Sequence, residues 1–166
     1  TCALPICMIH AKWYFLVLLL IIVDQLTKLL VYGYLKPNES LEITSFLSFS
    51  HVHNYGAAFS FLANEDGWQQ YFLVMVSSIA SLAIAIWMAK TTKQQVFKLL
   101  ALSLILSGAV GNLIDRAALG FVIDFIDFHY QTFYFPVFNV ADMAISAGVV
   151  LLILTDFKNN KRSNNE

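Results

Sequence analysis

Charge is what this sequence has least of. Asp, Glu, Lys and Arg make up 13% of its 166 residues, while 58% are hydrophobic. Soluble domains average about 25% charged and about 45–50% apolar residues. A soluble fold of this size could not cover so much apolar surface, whereas a membrane protein can leave it facing lipid. The net charge of −1 and the lack of a dense basic patch offer nothing to nucleic acid as a partner. Cysteine is scarce too. Cys2 and Cys7 both fall in the first seven residues, so no disulfide framework is implied. Phosphate-cradling glycine runs and a G-x-S-x-G nucleophile turn are missing. His51 and His53 form an H-x-H pair, but a zinc site needs three or four protein ligands. His129 is the one further histidine on that side and no cysteine is near. No metal and no other cofactor is therefore expected. The chain 1–166 is expected to form a single membrane domain, in which residues 1–7 lack a starting Met and read as an upstream or non-native extension ahead of Met8.

Long hydrophobic runs are what the sequence has. A helix needs about 20 apolar residues to cross a bilayer, and four stretches qualify: about 13–32, 68–88, 96–114 and 139–157. Backbone groups in lipid must be satisfied internally, so each run is expected to be helical. The first is too long for a secretory signal peptide and no small-residue cleavage site follows it. The expected fold class is therefore an all-α membrane protein with four transmembrane helices.

Basic residues set the direction. Lys12, Lys90, Lys93, Lys98, Lys158, Lys161 and Arg162 lie on one side, against Lys36 and Arg116 on the other. Both termini are expected inside. The loops of about 33–67 and 115–138 then face outward. They hold many of the 14 Phe and 7 Tyr, a headgroup-level composition, and show β-favouring alternation. Short strands or an amphipathic surface segment are expected there.

Polar groups inside a bilayer are expensive and each needs a reason. Asp24 lies roughly 13 Å deep at 1.5 Å per residue, with Lys28 one turn later on the same face. Either the two glue helices together or Asp24 forms the polar wall of a site. Gly108, Asn112 and Arg116 share one face of the third span. That stripe reads as small-residue packing with a snorkelling arginine, or as a face aimed at a site. Asn139 and Asp142 open the fourth span in helix-capping positions, yet Asp142 also falls about one turn below the outer interface. In the segment Val122–Tyr130, Asp124 and Asp127 would face opposite sides of a strand. Asp124 shares the face of Ile126 and Phe128 toward the membrane. Asp115, Asp156, Glu39, Glu42, Glu65 and Asp66 read as solvated or interfacial charges. Two carboxyl groups sharing one site cannot both ionise easily, which yields an acid and a base side by side. Asp124 and Asp142 are the candidate pair.

Five strings carry a resemblance: Asp24–Lys28 (DQLTK), Asn54–Phe59 (NYGAAF), Gly108–Arg116 (GAVGNLIDR), Val122–Phe125 (VIDF) and Phe138–Asp142 (FNVAD). In order and spacing they closely resemble the lipoprotein signal peptidase (signal peptidase II) family. The resemblance implies an aspartic endopeptidase of the bacterial cytoplasmic membrane, active at its outer face. It would cleave the signal peptide from a prolipoprotein ahead of a diacylglyceryl-modified cysteine. It further implies Asp124 and Asp142 as the catalytic pair, and Asn54, Gly108, Asn112, Arg116 and Asn139 as residues lining or ordering the site. Asp24 matches a supporting position. A small outer β-sheet and a mobile outer loop are implied as well. Membrane lipid and lipidated precursors would be the partners, with a complete site in a monomer.

Two other readings compete. Asp24 and Lys28 within a span suit a small transporter or proton-conducting subunit, although neither paired repeats nor broken helices are present. A non-catalytic assembly factor would use the same polar groups only as helix glue.

Overall fold

A computed structural model describes residues 4–56 and 68–163, with side chains over 11–56 and 68–158. The expectations for Ala57–Phe59, Glu65, Asp66 and the outer-loop segment around them lie outside the described residues, as does most of the proposed extension's detail. Four helices form: α1 (Leu4–Tyr34), α2 (Trp68–Lys90), α3 (Val96–Leu119) and α4 (Val140–Ser163). Each holds a stretch long and apolar enough to cross a membrane, Ala11–Tyr34, Trp68–Lys90, Val96–Leu119 and Val140–Lys158. Phe15, Leu18, Ile22, Leu26 and Leu29 of α1 are exposed, as are Phe72, Ile79 and Leu82 of α2. Apolar faces of this extent mark contact with lipid rather than water. The chain is a multi-pass membrane protein.

The helices run beyond the expected bounds. α1 starts upstream of residue 13, and α3 passes Ile114 to reach Leu119. The charges Asp115 and Arg116 suggested an end to the third span, but both are absorbed by the protein. The helix stops instead at Gly120, whose φ of 86° ends it in the left-handed conformation while its N–H donates to the Arg116 carbonyl at 3.1 Å. α3 is the central helix, since half of its most apolar window is buried against 17% or less in the other three.

The two long loops meet in one antiparallel sheet. β1 (Ser40–Thr44) and β2 (Leu47–Asn54) come from the first loop, β3 (Val122–Tyr130) and β4 (Phe133–Tyr134) from the second, in the order β1-β2-β3-β4. The β2–β3 register pairs Val52 with Asp124 and Asn54 with Val122. Asn54 and Asp124 are therefore diagonal neighbours on one face.

The interior divides by chemistry. Trp13, Val17, Met88, Leu99, Leu102 and Leu106 form an apolar cluster toward the α2–α3 turn. At the sheet end a polar cluster is buried, Asp24, Lys28, Asn112, Asp115, Asp124 and Asn139, beside the apolar Val122, Ile123, Phe125 and Ala141. Lys98 reaches Asp156 of α4 at 3.5 Å at the apolar end, which places the C-terminal part of α4 beside the α2–α3 turn.

Candidate active site

Asp124 stands near the start of β3, with 3% of its surface exposed. Its Oδ2 accepts the Asn54 side-chain N–H at 2.9 Å and its Oδ1 that of Asn139 at 2.6 Å. Asp142 is the third residue of α4. Its Oδ1 accepts the Asn112 side-chain N–H at 2.8 Å and its Oδ2 the backbone N–H of Asn139 at 3.3 Å. Each of the four carboxyl oxygens thus has one amide donor, and among the described residues none has a cation within ion-pairing distance. Amides orient a carboxyl group without neutralising it. Burial, and then the charge of Asp142, push Asp124 up to about 7, against the opposing pull of the Asn54 and Asn139 amides and the more distant Lys28.

Asn139 joins the two acids. It caps α4, its Oδ1 accepting the Asp142 backbone N–H at 3.0 Å, while its Nδ2 serves both Asp124 and the Asn112 Oδ1, the latter at 3.2 Å. The Asn112 Oδ1 also accepts from Lys28 at 2.8 Å. That contact assigns the Asn112 amide so that its N–H points at Asp142.

Both acids line a cavity of about 600 Å³ together with Asn54, Asn112 and Arg116. Beyond this polar head the walls are mostly apolar: Leu73, Val76 and Ala80 of α2, Met143 and Ile145 of α4, and residues 135–138 ahead of α4. Ala109 of α3 lies between them. The shape is a groove on α3 flanked by α2 and α4. Arg116 donates to the Gly56 carbonyl at 3.0 Å, and its buried Nε has no hydrogen-bond partner among the described residues.

Gly108 is behind the cavity rather than in it. A Cβ there would overlap the Ala141 carbonyl oxygen and come within 2.7 Å of Ile145 Cγ1, so glycine lets the first turn of α4 seat on α3. Asp24 is also behind the site. Of its two sequence readings the structure supports the structural pair: Lys28 lies at 2.9 Å and the side chains are 2% exposed. Lys28 also pairs with Asp115 at 2.8 Å, so the charges of this span are matched within the protein, as a structural pair requires.

Asp115 corrects the sequence reading, which left it as a solvated or interfacial charge. It is 3% exposed and pairs with Lys28 at 2.8 Å. The available signal was its place on the helix, one turn after Gly111 and on the buried face shared with Gly108 and Asn112. Gln25 had no reading at all, yet donates to Asp115 at 2.9 Å and to the Gly111 carbonyl at 3.2 Å. Asp127 points away from the site and accepts from Ser50 at 3.0 Å. The H-x-H pair bonds to itself, His53 Nε2 to His51 Nε2 at 3.0 Å, with His51 Nδ1 on the Leu35 carbonyl at 2.8 Å.

Comparison with known proteins agrees across sequence and structure. A family model described as signal peptidase (SPase) II matches residues 16–158. A lipoprotein signal peptidase of Pseudoalteromonas atlantica is 41% identical over 153 residues, covering 92% of this chain and 93% of its relative. One of Buchnera aphidicola is 43% identical over 148 residues, covering 88% and 92%. Among solved structures, a bacterial membrane enzyme determined by the in meso method at 2.3 Å superposes with a TM-score of 0.82 at 31% identity, over 92% of this chain and 91% of the other. A second such enzyme, at 1.9 Å, gives 0.76 at 32% identity, over 87% and 91%.

Proposed function

Because the chain belongs to the signal peptidase II family, we propose that it is an aspartic endopeptidase that removes signal peptides from prolipoproteins, cutting ahead of a diacylglyceryl-modified cysteine. One observation carries the aspartic reading: Asp124 and Asp142 share a cavity, and every carboxyl oxygen is held by an amide rather than a cation. Such a pair keeps one proton between two sites. Burial and the neighbouring Asp142 push Asp124 up to about 7, and we assign it as the acid that polarises the scissile carbonyl. Asp142 takes a proton from water, whose oxygen attacks the carbonyl carbon. The same proton then passes to the leaving amine nitrogen as the C–N bond breaks. Asn54, Asn112 and Asn139 orient the acids, Arg116 lines the cavity, and Gly108 and Asp24 order it from behind.

The substrate reading follows from position. A peptide bond inside a signal-peptide helix is hidden and must become locally extended before water reaches it. Acyl chains left in lipid would hold the cysteine at a fixed depth, and such positioning is a large part of rate enhancement. The basic residues gathered at the α2–α3 turn and the helix ends favour termini inside the cell and the sheet and cavity at the outer face of the cytoplasmic membrane. Both acids and the three asparagines that hold them come from the described residues of one chain, so a single copy suffices to build the dyad.

The deciding experiment is cleavage of a lipidated precursor by purified Asp124→Asn and Asp142→Asn. Each should lose turnover while remaining folded and inserted. Near-normal turnover by either overturns the dyad.

A further inference from the structure

Two buried acids outside the cavity each hold the backbone one residue ahead of a dyad member. Asp115 of α3 accepts the N–H of Ile123, the residue before Asp124, at 3.3 Å. Asp24 of α1 accepts the N–H of Ala141, the residue before Asp142, at 2.8 Å. One ammonium joins them, since Lys28 Nζ lies 2.9 Å from Asp24 and 2.8 Å from Asp115. Its third acceptor is Asn112, at 2.8 Å, whose amide in turn holds Asp142. All three donors of the ammonium are therefore spent on groups that lead to the dyad.

We propose that Lys28 is a positioning residue, which sets the spacing of Asp124 and Asp142 by tying together the two carboxylates that anchor β3 and the first turn of α4. The inference rests on the reading of those aspartates as the dyad. The alternative is that Lys28 merely glues helices. Glue would need only one partner and would not select the two N–H groups adjoining the dyad. The packing is built for this approach, because a Cβ on Gly111 would lie 2.6 Å from the Asp24 Oδ2. The arithmetic of charge points the same way. Two carboxylates face one ammonium, so without it like charges are left to repel in a buried space, and both anchors move.

The test uses the full chain and a lipidated precursor. Lys28→Met should lower kcat about 100-fold, the scale of an angstrom-level misplacement, with KM within about threefold of the parent. Lys28→Met combined with Asp24→Asn and Asp115→Asn removes the uncompensated charge, and the new amide oxygens can still accept both N–H groups. Its kcat should stay at least about tenfold low, because nothing links the anchors. Recovery to the parent kcat would mean that Lys28 only balances charge, and would overturn the proposal. Asp115→Asn alone leaves a neutral Lys28–Asp24 pair and should lower kcat about tenfold at unchanged KM. Parental kcat in this variant or in Lys28→Met would equally overturn it. Asp124→Asn and Asp142→Asn serve as controls: turnover there defeats the proposed function itself, whatever Lys28 does.

Discussion

Asn139 and Asp142 cap one another. The Asn139 Oδ1 accepts the Asp142 backbone N–H at 3.0 Å, and the Asp142 Oδ2 accepts the Asn139 backbone N–H at 3.3 Å. This is the reciprocal arrangement of a capping box, with Asp in place of Glu. Capping and site membership are not rival roles here. The helix start holds Asp142 in place and leaves the Asn139 amide free to reach Asp124.

These two roles of Asn139 are separable. Ser caps about as well as Asn, and loss of a cap costs about 1 kcal/mol. Asn139→Ser should therefore be more stable to thermal unfolding than Asn139→Ala by about 1 kcal/mol. Both lack the amide arm to Asp124 and should turn over about 10- to 100-fold more slowly, the cost of leaving a buried acceptor unsatisfied. Parental turnover in Asn139→Ser would make the amide arm irrelevant.

Acidity gives a second check. Burial and the charge of Asp142 push Asp124 up to about 7, and raising the pH through that value would strip the acid from the pair. The kcat/KM profile should fall on its alkaline side with a midpoint near 7. The Asn54 amide favours the ionised form, so Asn54→Ala should move that limb to higher pH. A limb that stays in place would remove Asp124 as the titrating group.

Two glycines of the α3–α4 contact should behave differently. At Gly148 a Cβ would lie 2.7 Å from the Ala101 carbonyl oxygen and from Ile105 Cγ1. Gly148→Ala and Gly108→Ala should each cost about 1–3 kcal/mol through overpacking. Gly108 presses on Ala141, beside Asp142, so its variant should also lose turnover. Gly148 is about 9 Å further along α4 at 1.5 Å per residue, and its variant should keep the parental kcat at temperatures where it is folded. Equal kcat losses would show that helix spacing in general, not the first turn of α4, governs the site.

Orientation is testable by labelling. With Cys2 and Cys7 replaced by Ser, Glu42→Cys should react with an impermeant maleimide in spheroplasts. Lys93→Cys should react only after the membrane is opened. The reverse pattern would invert the topology and put the cavity on the inner face.

Much of the fold was legible because the bilayer imposes simple rules. Apolar length gave four helices, and aromatic, β-favouring loops gave strands. Helix ends were less legible, since Asp115 and Arg116 look like a span boundary until their partners are known. The candidate site was legible where it was local: Asp24 with Lys28, Asn139 with Asp142, and the Gly108–Asn112–Arg116 face. What spans elements was not. Nothing in the sequence ties Asp115 to Lys28 of another helix, or Gln25 to the Gly111 carbonyl. Those contacts exist because glycine at 111 lets α1 and α3 approach closely.

The groove flanked by α2 and α4 has a kinetic consequence. Val76 and Met143 on its flanks are exposed within the membrane-spanning helices, so the lipid-anchored precursor of the proposed function would arrive sideways without leaving the bilayer. Encounter is then a search over an area. The quantity that saturates the enzyme is precursor per lipid or per detergent molecule, not moles per litre. Adding empty micelles at fixed precursor should slow cleavage as though substrate had been withdrawn.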